Sequence, residues 1–199
     1  AARREAYLVA LDCGKAGLAV ISGLALGIDA MAHRGNIEGG APTVAVLGSG
    51  LDMLYPAGNK ALAQRIVEQG GALLSEYPPG MGPEKWHFPA RNRIISALAR
   101  GTLVVEAPEQ SGALITARFA LEHGRDVWVG ASSAASERGA GTRKLADDGV
   151  PCITGAQDIL EEWGLLGDAH GVQHQKQDRG AGTAADLASS LARSLNIVY

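Results

Sequence analysis

Short, uninterrupted runs of apolar residues alternate with amphipathic segments along most of this 199-residue chain. The runs are LAVIS (18–22), TVAVLG (43–48), ALLSE (72–76), TLVVEA (102–107), DVWVG (126–130) and VPCIT (150–154). Runs of this length without polar alternation are typical of strands buried on both faces of a parallel sheet. Each run is followed, after a short connection, by a segment with helical periodicity. The sequence therefore predicts an α/β fold, a doubly wound and mostly parallel sheet with helices on both faces, in a Rossmann-like arrangement.

Segments with helical periodicity lie before, between and after these runs. They cover residues 1–16, 28–38, 59–71, 90–99, 112–125, 141–149 and 156–166. No strand precedes the first helix, so we expect the core, residues 1–166, to be truncated at its N-terminus and to lack its first strand. Residues 167–183 are polar and glycine-rich, which predicts a flexible linker. The apolar spacing in residues 184–199 predicts a helical tail.

Charge and cysteine content narrow the functional classes. A formal net charge of −3 argues against a protein that coats nucleic acid with its whole surface, but it is compatible with a local basic site. Cys13 and Cys152 are far apart and match no metal or redox spacing, which indicates reduced thiols in a cytoplasmic protein. Neither a signal-peptide pattern nor an apolar run of about 18 residues is present, so no membrane partner is expected.

Glycines cluster where the predicted strands end. The connections are SGLALGIDAMAH (22–33), GSGLDMLYP (48–56), EYPPGMGPEKWHFPARNR (76–93), EAPEQSGALITAR (106–118) and GASSAASERGAGTRK (130–144). The carboxyl ends of parallel strands meet at one edge of a sheet, which is where ligands bind in open α/β folds. Backbone N–H groups at glycine-flanked helix starts can hold an anion there. The pattern predicts a phosphate-binding edge that includes Gly23 and Gly27.

Basic residues in the connection after the third strand reinforce this prediction. Arg91, Asn92 and Arg93 fall in the first turn of the predicted helix 90–99, where the helix dipole is positive and arginine is misplaced. A bound phosphate would correct the mismatch and accept a bidentate contact from arginine. The alternative is an ion pair within the chain, in which the arginine bonds to Glu76, Glu84 or Glu106.

Helical spacing also places Arg91 above Ile95 and Leu98 on the buried stripe, so its guanidinium is expected to overhang the sheet edge. Lys85 and Trp86 come shortly before it in the sequence. Lys85 adds positive charge. Trp86 offers either a surface on which a base can stack or an apolar contact with the domain itself.

The same connections argue against several catalytic and cofactor chemistries. His33 is predicted to be a helix residue hydrogen-bonded near Asp29 rather than a catalytic group. Serines lie beside glycines, but none has the G-x-S-x-G context of a hydrolase nucleophile. The string GSGLDM has Met53 where a dinucleotide loop has its third glycine, which argues against a nicotinamide cofactor. We expect no cofactor and no metal.

Four longer strings form a distinctive set: VISGLALGIDAMAH, TVAVLGSGLDMLYPAGN, GALLSEYPPGMGPEKWHFPARNRIISAL and LVVEAPEQSGALITARFALEHGRDVWVG. Together they resemble the Rossmann-like core of the bacterial DNA-processing protein A family (DprA, also called Smf), over about residues 4–163. The specific motifs are SG-LA-x-GID-x-x-AH, G-x-GLD-x-x-YP and FP-x-RNR-II with SG-x-LIT-A downstream. The resemblance implies a homodimeric, non-enzymatic protein that binds and protects single-stranded DNA. It also implies loading of the RecA recombinase onto that DNA during natural transformation.

The family motifs imply DNA-binding roles for particular positions. FP-x-RNR corresponds to residues 88–93 and implies contacts from Arg91, Asn92 and Arg93, with Lys85 as a further contact upstream. Ser111 and Gly112 correspond to the SG motif that borders the pocket, and Arg118 and Arg125 are weaker candidates in the helix that follows. Three further expected contacts do not come from the family motifs: Gly23 and Gly27 in the glycine-rich turn after the first run, and Lys144 in a basic segment that departs from the family pattern. For Lys144 the alternative is a side chain that simply faces solvent.

The chain departs from the family pattern in several places. The family's opening strand and its Gly-Ser-Arg-like loop are not found before the first helix. Arg143 and Ala146 stand where the family has Asn and Ile, and a C-terminal winged helix would begin no earlier than about residue 184. The family's dimer contact uses the late part of the core, which implies an exposed apolar patch. Its expected members are Ile159, Leu160 and Trp163, unless this helix simply covers the core.

A second interpretation is an enzyme or a nucleotide sensor. The fold resembles that of the cytokinin-activating nucleotide phosphoribohydrolases, which carry PGG-x-GT-x-x-E with a catalytic glutamate. The comparable string here, EQSGALITARFA, lacks both the second glycine and that glutamate. A glycosidase needs a carboxylate to stabilise its oxocarbenium-like transition state, so the string disfavours hydrolysis. A module that senses a small nucleotide would use the same arginines in a closed pocket.

Overall fold

The computed structural model describes residues 1–165 and 194–198. The strands are β1 (Ala19–Ser22), β2 (Thr43–Leu47), β3 (Ala72–Ser75), β4 (Gly101–Val104), β5 (Asp126–Gly130), β6 (Cys152–Ile153) and β7 (Ser194–Val198). The helices are α1 (Ala2–Lys15), α2 (Ile28–Gly39), α3 (Lys60–Glu68), α4 (His87–Leu98), α5 (Gly112–Glu122), α6 (Ala140–Asp147) and α7 (Ala156–Glu162). Short 3-10 turns cover Ala57–Asn59, Ala131–Ala135 and Glu137–Gly139.

The strands form one parallel sheet in the order β3-β2-β1-β7-β4-β5-β6. Successive side chains of a strand point to opposite faces, and both faces of this sheet are covered. Val20 packs with α1, α2 and α7 on one face, whereas Ile21 packs with α4 on the other. The sheet order and the helices on both faces confirm the predicted doubly wound α/β fold.

Helices α1 and α2 pack closely against each other on one face of the sheet. A Cβ atom at Gly35 would lie 2.2 Å from the carbonyl oxygen of Tyr7, and one at Gly39 would lie 2.3 Å from that of Leu11. Only glycine permits the two backbones to approach this closely. Because α1 runs antiparallel to the strands, its N-terminal end, with Arg3, lies at the carboxyl edge of the sheet.

Among the described residues no strand precedes α1, as expected. The middle of the sheet corrects a different expectation, because we predicted residues 184–199 to be helical. Residues 194–198 instead form β7, which pairs in parallel with both β1 and β4. Ile197 is fully buried there, so burial between two strands outweighs the helical spacing of this segment. The predicted linker 167–183 and residues 184–193 lie outside the described residues.

Helix α4 begins earlier than predicted, at His87 rather than at residue 90. Pro89 is tolerated in the first turn because the N–H groups there have no partner within the helix. Arg91 and Arg93 consequently lie in the second turn, where the predicted conflict with the helix dipole is weaker. In the described part of the chain, no helix is long and apolar enough to cross a membrane.

Candidate nucleic-acid interface

The carboxyl edge of the sheet carries two adjoining depressions near β1, β7 and β4, where the strand order changes direction. One is a cleft of about 450 Å³, with Arg3, Gly27, Ser111 and Arg138 in its wall. The other is a pocket of about 260 Å³ between the first turns of α4 and α5. Gly112 borders both. Crevices at such switch points are the usual ligand sites of open α/β sheets.

The loop after β1 closes on the carboxylate of Asp29. The Asp29 Oδ2 atom accepts hydrogen bonds from the N–H groups of Gly23 at 3.0 Å and Ala25 at 3.2 Å. Burial raises the pKa of Asp29, and the nearby Arg91 charge and these donors oppose that rise. The N–H of Gly23 therefore already donates to Asp29. Contrary to the prediction, it is not directed at a bound phosphate. The glycine instead leaves room for Arg91, whose guanidinium lies 2.7 Å from the position a Cβ atom would take.

Arg91 is a buried residue that ties α4 to the ends of two strands. It is only 5% exposed, and its Nη1 atom donates to the carbonyl oxygens of Gly23, at 2.9 Å, and of Val46. Its guanidinium carbon also lies 5.9 Å from the centre of the Phe88 ring. The predicted overhang at the sheet edge is correct in position, but the guanidinium points inward. Its first role is to hold this edge together.

Asn92 connects α4 to the start of α5. Its Oδ1 atom accepts from Arg91 Nε at 3.1 Å, and its Nδ2 atom donates to the carbonyl oxygen of Gly112 at 3.0 Å. Ser111 caps α5, because its hydroxyl oxygen accepts from the N–H of Ala113 at 3.1 Å. Asn92, Ser111 and Gly112 thus lie together as predicted. They shape the wall between the two depressions.

Arg93 and Lys85 are exposed, in contrast to Arg91. Arg93 forms an ion pair with Glu76, which is the alternative that the sequence left open. Both side chains of this pair are partly exposed, at 49% and 41%, so solvent screening keeps it weak. Lys85 is exposed just before α4. A phosphate can therefore compete for Arg93 with little loss.

Two residues that sequence reasoning did not select, Arg3 and Arg138, are exposed and border the larger cleft. Gly27, at the start of α2 with φ of 100°, brings the backbone close to Arg3, whose Nε atom lies 3.7 Å from the glycine's Cβ position. Glu106 also borders the cleft and accepts a hydrogen bond from Ser136. Arg138 lay in the connection GASSAASERGAGTRK, and Arg3 could have been found by following the direction of α1.

The remaining predicted basic residues lie farther out. Arg118 pairs with Glu122 at 2.8 Å on the exposed face of α5. Lys144 is exposed on α6, where its neighbour Arg143 donates to the carbonyl oxygens of Ser133 and Ser136. Arg143 therefore holds the loop after β5 in place. Arg118 and Lys144 are available to a long ligand but do not line the larger cleft.

Aromatic rings line the loops after β2 and β3. Tyr77 and His87 stack with ring centres 3.9 Å apart, and Trp86 meets His87 almost perpendicularly at 4.1 Å. Tyr55 contacts Phe88 at 5.7 Å on the other side of the α4 start. Trp86 is exposed, so the alternative in which it packs against the domain does not hold for most of its ring.

His33 is a buried neutral residue. Thr43 donates its hydroxyl proton to the carbonyl oxygen of Val20 at 2.6 Å, so it accepts the 2.7 Å hydrogen bond from His33 Nδ1. The proton therefore sits on Nδ1. Burial and, secondly, the charge of Arg91 lower the pKa of His33 to about 3. The predicted partner near Asp29 was wrong, since the histidine bonds to β2 instead.

The residues expected to mark a dimer contact are inside the core. Ile159, Leu160 and Trp163 are all buried and pack with Trp128 and Ile197. Trp163 Nε1 also donates to Asp126 at 2.8 Å. The prediction of an exposed apolar patch at these residues was wrong, because α7 covers this face of the sheet. Among the described residues, no group of three or more His, Cys, Asp or Glu side chains is arranged to hold a metal ion.

Comparison with known proteins places this geometry in context. The family model for DNA recombination-mediator protein A matches residues 2–164. The DNA processing protein DprA of Streptococcus pneumoniae is 46% identical over 146 residues, which are 73% of this chain and 51% of that protein. The DprA of Bacillus subtilis is 44% identical over 146 residues, 73% of this chain and 49% of that protein. This chain thus spans about half the length of these curated relatives.

Two solved structures are also similar. The X-ray structure of DprA from Streptococcus pneumoniae has a TM-score of 0.74 and 43% identity, and the match covers 81% of this chain and 56% of that one. A DprA structure from Helicobacter pylori has a TM-score of 0.73 and 28% identity, and the match covers 81% and 73% respectively. The second structure is described as revealing a single-stranded DNA binding mode of that protein.

Proposed function

This chain belongs to the DNA recombination-mediator protein A family, and on that premise we propose that the carboxyl edge of its sheet binds single-stranded DNA. The observation that carries the proposal is the larger cleft at the switch point, with exposed Arg3 and Arg138 on its wall. The N-termini of α2 and α5 open onto the same cleft and add partial positive charge. A phosphate chain fits this combination.

The binding mechanism is electrostatic and non-covalent. Exposed side chains of the edge, Arg3, Arg138, Arg93 and Lys85, contact phosphates, while Arg91 and Asn92 keep the edge in shape from inside. Such binding is largely indifferent to base sequence and weakens as salt displaces the contacts. Glu106 in the cleft limits the net positive charge there, so affinity depends on the two cleft arginines together.

The test is fluorescence anisotropy with labelled oligo-dT and with duplex of the same length, over a salt series. We expect tighter binding of the single strand, and for the Arg3→Ala/Arg138→Ala double variant a slope of log K against log salt reduced by about 0.7 for each lost phosphate contact. Arg125→Ala is the matched control, because Arg125 bonds to the carbonyl oxygen of Ala97 at the opposite sheet edge. The proposal would be contradicted if Arg125→Ala lost as much affinity for oligo-dT as the Arg3→Ala/Arg138→Ala double variant. It would also be contradicted if the wild-type protein did not bind the single strand at low salt.

The finer roles extend from this binding. We propose that the chain protects single-stranded DNA, loads RecA onto it, acts in the cytoplasm as a homodimer and catalyses no reaction. Nuclease digestion of oligo-dT and RecA filament assembly on the same DNA, each with and without this protein, measure the first two roles. Light scattering after size exclusion measures the third. A small nucleotide such as AMP that displaces oligo-dT at micromolar concentration would favour the nucleotide-sensing alternative instead.

A further inference from the structure

Trp86 stands apart from the other tryptophans of the chain. It is 64% exposed, whereas Trp128 and Trp163 are 1% and 8% exposed and pack against each other with ring centres 5.5 Å apart. Single exposed apolar residues are ordinary on protein surfaces. Trp86 differs because its position is fixed by other rings and because it stands beside basic residues at the sheet edge.

Stacked rings and tied loops hold Trp86 in place. His87 is buried, with Nδ1 3.0 Å from the carbonyl oxygen of Gly48, and its ring stacks on Tyr77 and meets Trp86 nearly perpendicularly. The loop that leads to Trp86 is anchored where Gly80 donates its N–H to the carboxylate of Asp52 at 2.9 Å. A ring held this way loses little conformational freedom on binding, so an added contact contributes most of its free energy to affinity.

The neighbours of Trp86 suit a nucleotide. Lys85 is exposed and directly precedes Trp86, so its ammonium group can reach a phosphate. The exposed side chain of Arg93 lies farther along, in helix α4. Every nucleobase has an aromatic face, but only unpaired bases expose that face to a protein ring. A phosphate contact and a stacking contact side by side therefore distinguish single strands from duplex without reading sequence.

We propose that Trp86 is a stacking platform for an unpaired nucleobase, with Lys85 on an adjacent phosphate. This inference rests on the proposed function, because it assigns a second contact type to the same DNA-binding edge. It places the single strand along the start of α4, in addition to the cleft lined by Arg3 and Arg138. It also strengthens the preference of the edge for single strands, because a duplex keeps its base faces out of reach of the ring.

Intrinsic tryptophan fluorescence tests the stacking directly, since Trp128 and Trp163 are shielded from solvent. Oligo-dT should quench the emission of the wild-type protein, and an abasic oligomer with the same phosphates should not. Trp86→Phe should remove the DNA-dependent quenching while it keeps an aromatic face. Trp86→Ala should weaken oligo-dT binding measured by anisotropy about 5- to 100-fold, with a smaller loss for Trp86→Phe. Leu121→Ala is the control, because Leu121 is 54% exposed at the far end of α5.

The outcomes separate the two proposals. Oligo-dT that binds by anisotropy without quenching Trp86, and with unchanged affinity for Trp86→Ala, would overturn the stacking site and leave the proposed function in place. Equal quenching by the abasic oligomer would also overturn it. Failure of the wild-type protein to bind oligo-dT at low salt would overturn both. Lower affinity for Trp86→Ala, with Trp86→Phe intermediate and Leu121→Ala unchanged, would support the platform.

Discussion

Two groups of arginines meet at the carboxyl edge of the sheet, and they differ in almost every respect. Arg91 is buried, donates to two backbone carbonyl groups and approaches a buried carboxylate. Arg3 and Arg138 are exposed and face a cleft. A buried charge is costly unless its partners lie inside the protein, so it cannot exchange those partners for a ligand. An exposed arginine can exchange water for a phosphate.

The comparison teaches that a basic residue at a binding edge is not by that fact a ligand contact. Arg91 gives the edge its shape, whereas in the proposed function the exposed arginines supply its affinity for DNA. Four measurements can break or sharpen this division, and they are ordered by the size of their expected effect on stability.

Replacement of the buried arginine should have the largest effect. Arg91→Ala removes the donors to Gly23 and Val46 and leaves Asp29 without its nearby positive charge. We expect the free energy of unfolding, measured with urea, to fall by about 3–5 kcal/mol. Arg91→Lys should restore little, because one ammonium group does not reproduce the planar fork of guanidinium. If Arg91→Ala has the same urea midpoint as the wild-type protein and loses only DNA binding, the division between structural and DNA-binding arginines is wrong.

The pH dependence of the free energy of unfolding should show the effect of burial and of the Arg91 charge on His33. His33 has a pKa of about 3 in the folded protein and an ordinary value of 6.5 in the unfolded chain, so between these values the unfolded chain binds more protons. Its contribution is complete above pH 6.5 and is lost as the pH falls toward 3, by about 1.4 kcal/mol per pH unit. Urea unfolding of wild type and His33→Gln from pH 7 to pH 4 measures this difference. A constant difference across that range would contradict a buried neutral histidine.

Replacement of Arg93, which is partly exposed, should change stability by an amount between the effects of the two groups. Arg93→Ala breaks the ion pair with Glu76, which is screened by solvent, so we expect a loss of stability of about 0–1 kcal/mol. Glu76→Ala is the informative partner variant, because it keeps Arg93 and removes its competitor. Oligo-dT affinity should fall with Arg93→Ala and rise with Glu76→Ala. The same sign for both variants would show that Arg93 does not contact DNA.

The cleft arginines should have the smallest effect on stability. Arg3→Ala and Arg138→Ala remove exposed side chains, and we expect changes in the free energy of unfolding within about 0.5 kcal/mol. The same protein samples should show the weakened single-strand binding described above. A loss as large as that of Arg91→Ala would place these arginines in the structural group instead.

The features predicted from the sequence are those that depend on neighbouring residues. Strands β1 to β6 and the helices around them follow from local runs and periodicity, and the binding edge follows from where the strands end. The burial of Arg91 was not predictable in this way, because it depends on Gly23 and Val46, which are distant in sequence. Arg3 was missed because its position depends on the direction of α1 against the sheet.

Strand β7 was missed for the same reason. Its segment has an apolar spacing compatible with a helix, and only two strands far away in the sequence make it a strand. Its register with β1 and β4 is specified by pairing that no local pattern encodes. The sequence likewise placed Trp86 at the edge, but its exposure depends on how His87 and Tyr77 occupy the space beneath it.

The place of β7 also constrains how the chain reaches its final form. Among the described strands, β1 and β4 do not pair with each other, and β7 joins the half that contains β1–β3 to the half that contains β4–β6. Ser22 donates to the carbonyl oxygen of Ile197 across a separation of 175 residues. Contacts this distant in sequence slow folding, because a large loop must close before they form. Within the described residues, β1 and β4 therefore keep unpaired inner edges until Ser194–Val198 takes its place between them, and an unpaired strand edge can pair with other extended segments.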